Sequence, residues 1–136
     1  MIVHERAVRF EEVDAAGIVF FGRFMEYCHE AMERFFDGVP GGYVDLIMKR
    51  RIGFPAVHVD AKWKAPLRYG DAMRIEVTVA NVGKTSSTFR YRFVRKSDDV
   101  ECALVEHVTV CSTLDTMQKM PLPDDCRALL ESHRTS

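Results

Sequence analysis

Residues Phe24 to Asp37 read FMEYCHEAMERFFD, and their periodicity is the strongest structural signal in the chain. On a helical wheel of about 100° per residue, eight apolar side chains fall on one half and six polar side chains on the other. The pattern predicts an amphipathic helix, and Gly38 follows it as a predicted C-cap. An apolar face of this width requires another layer of the protein to cover it.

The rest of the chain supplies that layer, because its second half alternates between apolar and polar residues as strands with one buried face do. The stretch 102–110 is apolar on both sides and is predicted to be a central strand. Short turns between these stretches favour antiparallel neighbours. The predicted strands are 2–10, 57–65, 73–79, 89–93 and 102–110, and the predicted shorter helices are 43–51 and 124–132.

The simplest packing is an α+β fold in which a five-stranded antiparallel sheet wraps around the long helix. Residues 1–136 contain no linker or repeat and are predicted to form one domain. An open sheet leaves unpaired edges, which a second copy can satisfy. We therefore expect a homo-oligomer, either a dimer or a tetramer.

Charge and cysteine usage narrow the class of protein. With 19 basic and 20 acidic residues, the net charge of −1 argues against a nucleic-acid-binding protein. No apolar run is long enough for a signal peptide or a membrane span. The four cysteines form no C-x-x-C pair, so they are interpreted as reduced thiols of a cytoplasmic protein without a metal site.

The candidate chemistry lies just before the long helix, where residues 10–22 read FEEVDAAGIVFFG. Asp14 stands beside two alanines and Gly17, which leave room for a substrate. The stretch 18–21 is too apolar for an idle surface loop, so it is predicted to line a pocket or an interface. Asp14 is interpreted either as a reactive carboxylate or as a brace for its own loop.

The string from Val8 to Phe36 resembles the beginning of the hotdog-fold acyl-CoA thioesterases, and most closely the 4-hydroxybenzoyl-CoA thioesterase group. The family signature is an Asp, two small residues, a Gly, two aliphatic residues and an aromatic pair, which matches 14–21 here. The segment 65–71, APLRYGD, also resembles a turn of that family. Where the family often has an acid on the helix this chain has His29, and Phe54 stands where a hydroxyl is common, so the acyl group stays open.

The resemblance implies an acyl-CoA thioesterase with the hotdog fold and with sites at a subunit interface. It implies that Asp14 acts as nucleophile or general base. Backbone N–H groups at the helix start, near Phe21 and Gly22, would polarise the thioester carbonyl, and Gly17 and Ile18 would complete the substrate site. No separate cofactor is expected, because coenzyme A is part of the substrate.

Binding of the coenzyme A phosphates requires basic groups. Five basic residues and no acid occur within 84–96, either as a phosphate site or as the polar face of a strand. Lys84, Thr85 and Ser86 are the predicted contacts, because this turn is similar to the family's, and Lys62 and Lys64 are weaker candidates.

Two alternatives stay open at the sequence level. Some hotdog thioesterases use a glutamate on the central helix, and Glu30 would be that residue, although the wheel places it near the centre of the polar face. The other alternative is a non-catalytic protein that binds acyl-CoA or an acyl-carrier protein and shows no turnover.

Overall fold

The computed structural model describes residues 1–135 of the chain. The helices are α1 (Arg23–Phe35), α2 (Gly42–Met48) and α3 (Asp124–Ser132). The strands are β1 (Ile2–Ala7), β2 (Ile52–Gly53), β3 (Ala56–Trp63), β4 (Ala72–Val82), β5 (Ser86–Arg95), β6 (Val100–Val110), β7 (Ser112–Thr113) and β8 (Gln118–Lys119). Two short 3-10 helices cover Phe10–Glu12 and Phe36–Gly38.

A five-stranded antiparallel sheet in the order β1-β4-β5-β6-β3 forms one layer, and α1 packs on its inner face. This confirms the predicted fold, with β6 lying between two neighbours as expected for a central strand. Burying each large apolar side chain contributes roughly 1.5–3 kcal/mol. The fully buried inner-face side chains of β4 and β5 are Met73, Ile75, Val77, Val79, Phe89, Tyr91 and Phe93.

Helix α1 begins one residue before the predicted start, and its predicted last turn tightens into a 3-10 turn. Its apolar face is buried as predicted, except that Met25 is exposed. The prediction of Gly38 as the C-cap of α1 is wrong, because the C-cap is Phe36 and Gly38 is the last residue of the 3-10 helix that follows. A Cβ at Gly38 would lie 2.5 Å from the Leu129 side chain, so the glycine allows α3 to approach closely.

Strand β3 departs from the predicted pattern of one buried face. Val57, Val59 and Trp63 are 60%, 41% and 46% exposed. The reason is that β3 is an edge strand of the sheet, and its apolar side lies open along one edge of the groove beside α1. Strand β1 likewise ends at Ala7, before the predicted residue 10, because the chain turns into the 3-10 helix.

A second, three-stranded sheet in the order β2-β7-β8 was not predicted from the sequence. Each of these strands has two residues, which is too short for alternation to show. Among residues 1–135, no helix combines the length and the apolar character that crossing a membrane requires.

Candidate active site

Asp14 lies in a tight hairpin turn that holds its side chain in place. Its N–H donates to the Ile18 carbonyl at 2.8 Å, and the Gly17 N–H donates to the Asp14 carbonyl at 2.9 Å. The turn needs Gly17 because φ there is +78°, in the left-handed region. Asp14 Oδ1 accepts hydrogen bonds from the N–H groups of Ala16 at 2.8 Å and Ile18 at 3.4 Å. Oδ2 has no hydrogen-bond partner within residues 1–135, so one oxygen braces the turn and the other stays free.

Asp14 lines a cavity of 660 Å³ whose walls are largely apolar and include four aromatic side chains. Trp63, at the end of β3, packs edge-to-face against Phe21 and Phe24 with ring centroids 6.0 Å apart in both pairs. Phe54 lies elsewhere, stacked on Phe36. The other lining residues are Ile18, Val19, Phe20, Lys64, Ala65, Pro66 and Leu67.

The segment 65–71 supports the other side of this cavity. The Val19 N–H donates to the Leu67 carbonyl at 2.8 Å, which joins the segment to the hairpin. Its own turn is closed by the Arg68 N–H, which donates to Asp71 Oδ2 at 2.8 Å. The two sequence segments that carried the resemblance therefore meet at one site.

The N-terminus of α1 presents free hydrogen-bond donors at the same site. The first turn is closed by the N–H groups of Arg23 and Phe24, which donate to the carbonyls of Phe20 at 2.9 Å and Phe21 at 3.2 Å. The N–H groups of Phe21 and Gly22 have no acceptor within the part of the chain that the structure describes. Free N–H groups at a helix start carry partial positive charge and stabilise an anion. Phe21 and Ile18 line the cavity, whereas Gly17 and Gly22 are not among its lining residues.

Sequence reasoning missed a buried carboxylate, Glu12, which anchors both parts of the site. Its Oε1 accepts hydrogen bonds from the Arg9 N–H at 2.8 Å and the Tyr27 hydroxyl at 3.0 Å. Arg6 Nη2 donates to both Glu12 oxygens at 2.6 Å. The Glu12 carbonyl also accepts the Phe20 N–H at 3.1 Å, just before the helix start.

Glu12 remains an anion in this setting. Burial by itself would raise the pKa of Glu12, but the hydrogen bonds from Arg9, Tyr27 and Arg6 outweigh it and hold the pKa below its usual value. Burial and the Glu12 carboxylate raise the pKa of Tyr27, so the phenol stays protonated and donates. The available sequence signal was the second glutamate of the FEEVD segment, but its partners on β1 and α1 could not be read from spacing.

The alternative carboxylate, Glu30, lies on the other side of α1. It forms an ion pair with Arg6 of β1, and its Oε1 lies 3.5 Å from His4 Nε2. The wheel places Glu30 near the centre of the polar face of α1, and in the structure β1 covers that position in part and leaves Glu30 partly exposed. Glu30 is not among the residues that line the Asp14 cavity, and Arg6 joins it to Glu12 instead.

The predicted coenzyme A contacts lie at the opposite end of the sheet from Asp14. Lys84 and Thr85 lie in the turn from β4 to β5, and Ser86 is the first residue of β5. The carbonyls of Lys84 and Thr85 accept N–H groups of Leu122 at 3.0 Å and Cys111 at 2.7 Å. Strand β4 has 11 residues, and at about 3.3 Å per residue it separates the two regions by roughly 35 Å. One chain does not bring them together.

The basic residues that follow Lys84 do not form a free phosphate site within one chain. All four are paired with acids, three of them across strands, so the local excess of charge is neutralised. The pairs are Arg90 with Glu106, Arg92 with Glu76 and Glu101, Arg95 with Asp98, and Lys96 with Glu5. Lys64, which lines the cavity, is likewise paired with Glu101. Within one chain, these ion pairs fit the second of the two interpretations given for the basic residues, the polar face of a strand.

No group of three or more His, Cys, Asp or Glu side chains is placed to hold a metal ion among residues 1–135. The four cysteines are buried and form no disulfide. Burial raises the pKa of Cys111 to about 11 and that of Cys126 to about 12, so neither is a reactive thiolate.

Comparison with known proteins gives matches over nearly the whole chain. Residues 8–130 match the family model of the thioesterase-like superfamily. A 1,4-dihydroxy-2-naphthoyl-CoA hydrolase from Nostoc punctiforme is 29% identical over 131 residues, which cover 96% of this chain and 87% of that protein. The solved structure of a thioesterase superfamily protein from Jannaschia sp. CCS1 has a TM-score of 0.90 at 27% identity, covering 99% and 94% of the two chains. That of a gentisyl-coenzyme A thioesterase has a TM-score of 0.83 at 25% identity, covering 93% and 99%.

Proposed function

The chain belongs to the thioesterase-like superfamily and is a thioester hydrolase, and we propose that Asp14 is the carboxylate that acts on an aroyl-CoA. The observation that supports this most directly is that one Asp14 carboxylate oxygen is unpaired at a cavity that Phe21 also lines, while the backbone N–H groups of Phe21 and Gly22 have no acceptor among the described residues. The arrangement matches what hydrolysis of a thioester requires.

A thioester needs less assistance than an amide because its leaving group is a thiol. With a pKa near 8.5, if cysteine is a guide, the thiol departs as thiolate without an acid catalyst. As general base, Asp14 would take a proton from water while the hydroxide attacks the carbonyl carbon. As nucleophile, it would form a mixed anhydride that water then hydrolyses. In both routes the carbonyl oxygen becomes an oxyanion, which the N–H groups of Phe21 and Gly22 stabilise.

An aroyl substrate fits the walls of the cavity. Phe20, Phe21, Phe24 and Trp63 offer ring faces and edges to a flat acyl group. The relatives named above act on 1,4-dihydroxy-2-naphthoyl-CoA and gentisyl-CoA, both aromatic thioesters. We propose that this chain likewise acts on an aromatic acyl-CoA.

The complete site is proposed to need a second copy of the chain. Antiparallel pairing of two β3 edges would cover Val57, Val59 and Trp63, which are exposed in one chain. Such pairing reverses the direction of the partner, so the partner's β4–β5 turn would lie toward the end of the sheet that carries Asp14. That geometry would offer Lys84 of the second copy to coenzyme A.

The test is Asp14→Asn, which keeps the size of the side chain and the Oδ1 acceptor. We expect kcat for thiol release from benzoyl-CoA and naphthoyl-CoA to fall by about 10²–10⁴-fold, while the far-UV circular dichroism and the melting temperature stay unchanged. Glu30→Gln is the matched control and should retain kcat. A purely binding protein would bind the thioesters without releasing thiol in either form. Equal turnover by Asp14→Asn and wild type would falsify the assignment.

A further inference from the structure

The mechanism above makes no use of His107, a titratable side chain on the inner face of the sheet. His107 lies on β6 and pairs with Phe89 of β5 and Val59 of β3. The inner faces of β4 and β5 around it are apolar, apart from the hydroxyl pair Ser87–Thr109, whose oxygens lie 2.9 Å apart and satisfy each other. A half-buried imidazole among these side chains needs hydrogen-bond partners of its own.

The contact with Tyr91 determines which ring nitrogen carries the proton. The Tyr91 hydroxyl lies 3.3 Å from His107 Nδ1 and has no other partner within residues 1–135. Because Tyr91 is fully buried, an unused O–H donor would be costly, so the hydroxyl donates to Nδ1. Burial and the nearby His29 lower the pKa of His107, so the ring is neutral and its proton is on Nε2. Nε2–H then has no acceptor among the described residues.

His107 lines two cavities, a mainly apolar one of 310 Å³ between α1 and β3 and one of 350 Å³ beside Tyr43 and Phe54. The cavity of 310 Å³ and the Asp14 cavity lie in turn between α1 and β3 and share no lining residue. Phe24 and Trp63 line the Asp14 cavity, whereas Met25 and Val59 line this one. The four residues from Trp63 to Val59 correspond to about 13 Å along β3.

We propose that His107 Nε2 is a specificity-determining donor that recognises an oxygen at the end of the acyl group remote from the thioester. The preferred substrate is then an extended aromatic acyl group, apolar along its length, with a hydroxyl or carbonyl oxygen at the far end. Tyr91 is a positioning residue, because it fixes the tautomer that presents Nε2–H. The inference rests on the proposed function for the nature of the ligand, an acyl-CoA.

The experiment measures binding without turnover. 4-Phenylphenacyl-CoA, a thioether with a methylene between sulfur and carbonyl, cannot be hydrolysed at a thioester bond, and its 4′-hydroxy derivative differs by one oxygen at the far end. Isothermal titration of wild type should show about tenfold tighter binding of the hydroxylated probe, the value of one hydrogen bond. His107→Leu should bind both probes alike, so the preference for the hydroxylated probe is lost.

A second variant keeps the test decisive if His107→Leu folds poorly. The double variant Tyr91→Phe/His107→Leu leaves no buried hydroxyl unpaired and should also lose the preference. In Tyr91→Phe alone, no hydroxyl keeps the proton of His107 on Nε2. This variant should therefore show a smaller preference for the hydroxylated probe, while its affinity for the unsubstituted probe is retained. If His107 had only a structural role, replacing it would instead weaken the binding of both probes equally.

The outcomes separate this inference from the hydrolase proposal. A tenfold preference that survives in both leucine variants, or its absence in wild type, overturns the inference even if Asp14-dependent thiol release is observed. Failure of both probes to bind wild type overturns it as well. A His107-dependent preference in a protein that releases no thiol from any acyl-CoA supports the inference and refutes the hydrolase proposal.

Discussion

Replacing Glu12 by glutamine tests whether the buried anion holds the site together. The Arg6 and Glu12 side chains are 10% and 8% exposed, and removing one partner of such a pair costs about 3–5 kcal/mol. The glutamine side chain retains an oxygen for Arg9 and Tyr27, and Arg6 keeps its pair with Glu30. The free energy of unfolding should therefore fall by the lower figure, about 3 kcal/mol.

Urea unfolding followed by circular dichroism measures this difference, and the sequence offers a matched control. Glu11 is the preceding residue of the same 3-10 helix and is exposed. Its carboxylate takes part in no hydrogen bond or ion pair among residues 1–135. Glu11→Gln should change the free energy of unfolding by less than about 0.5 kcal/mol.

The pH dependence adds an independent check on the cause. The folded state lowers the pKa of Glu12, so the ionised form stabilises the protein above the unfolded pKa, near 4.3. That stabilisation is lost as the pH falls through the folded pKa, and glutamine cannot titrate. The difference in the free energy of unfolding between wild type and Glu12→Gln should have its full size at pH 7 and should become smaller in acid. A gap at pH 7 no larger than that of Glu11→Gln, or one that grows in acid, refutes the reasoning.

Three further predictions concern the turn, the sheet edge and the thiols. Gly17→Ala should cost about 1–2 kcal/mol of stability, seen in urea unfolding, because φ is +78° while a Cβ there meets nothing within 4 Å. Wild type should be a dimer by light scattering and Val59→Asp a monomer, whereas Val44→Asp, at an exposed position of α2, should stay dimeric. Ellman's reagent should titrate the four cysteines only on unfolding, because all are buried, and rapid reaction of the native protein would contradict this.

Local periodicity was enough to predict the parts of the fold that repeat along the chain. The apolar stripe of α1 and the alternation in β4 and β5 each report one buried face, so the sheet and its helix followed from them. The exposed face of β3 could not be predicted, because alternation indicates that a face is apolar and not what covers it.

The same distinction, between residues contiguous in sequence and contacts between distant segments, applies to the candidate site. The Asp14 turn and the aromatic residues after it are contiguous in sequence, so they could be placed at one cavity. The pairing of Arg92 with Glu76 and Glu101 joins three strands, and only their register shows that the apparent basic patch is neutralised. Glu12 was missed for the same reason.

One anchor holds both parts of the candidate site, the Asp14 turn and the start of α1. The Glu12 side chain is held by Arg6 from β1 and by Tyr27 from α1, while its carbonyl holds the Phe20 N–H just before the helix start. Asp14 follows two residues later in the same rigid stretch. A loop movement that displaced the carboxylate would therefore also displace the helix donors. Preorganised donors and a fixed base lower a barrier without reorganisation at the moment of reaction, so under the proposed function the buried charged pair beneath the loop would serve catalysis by fixing both.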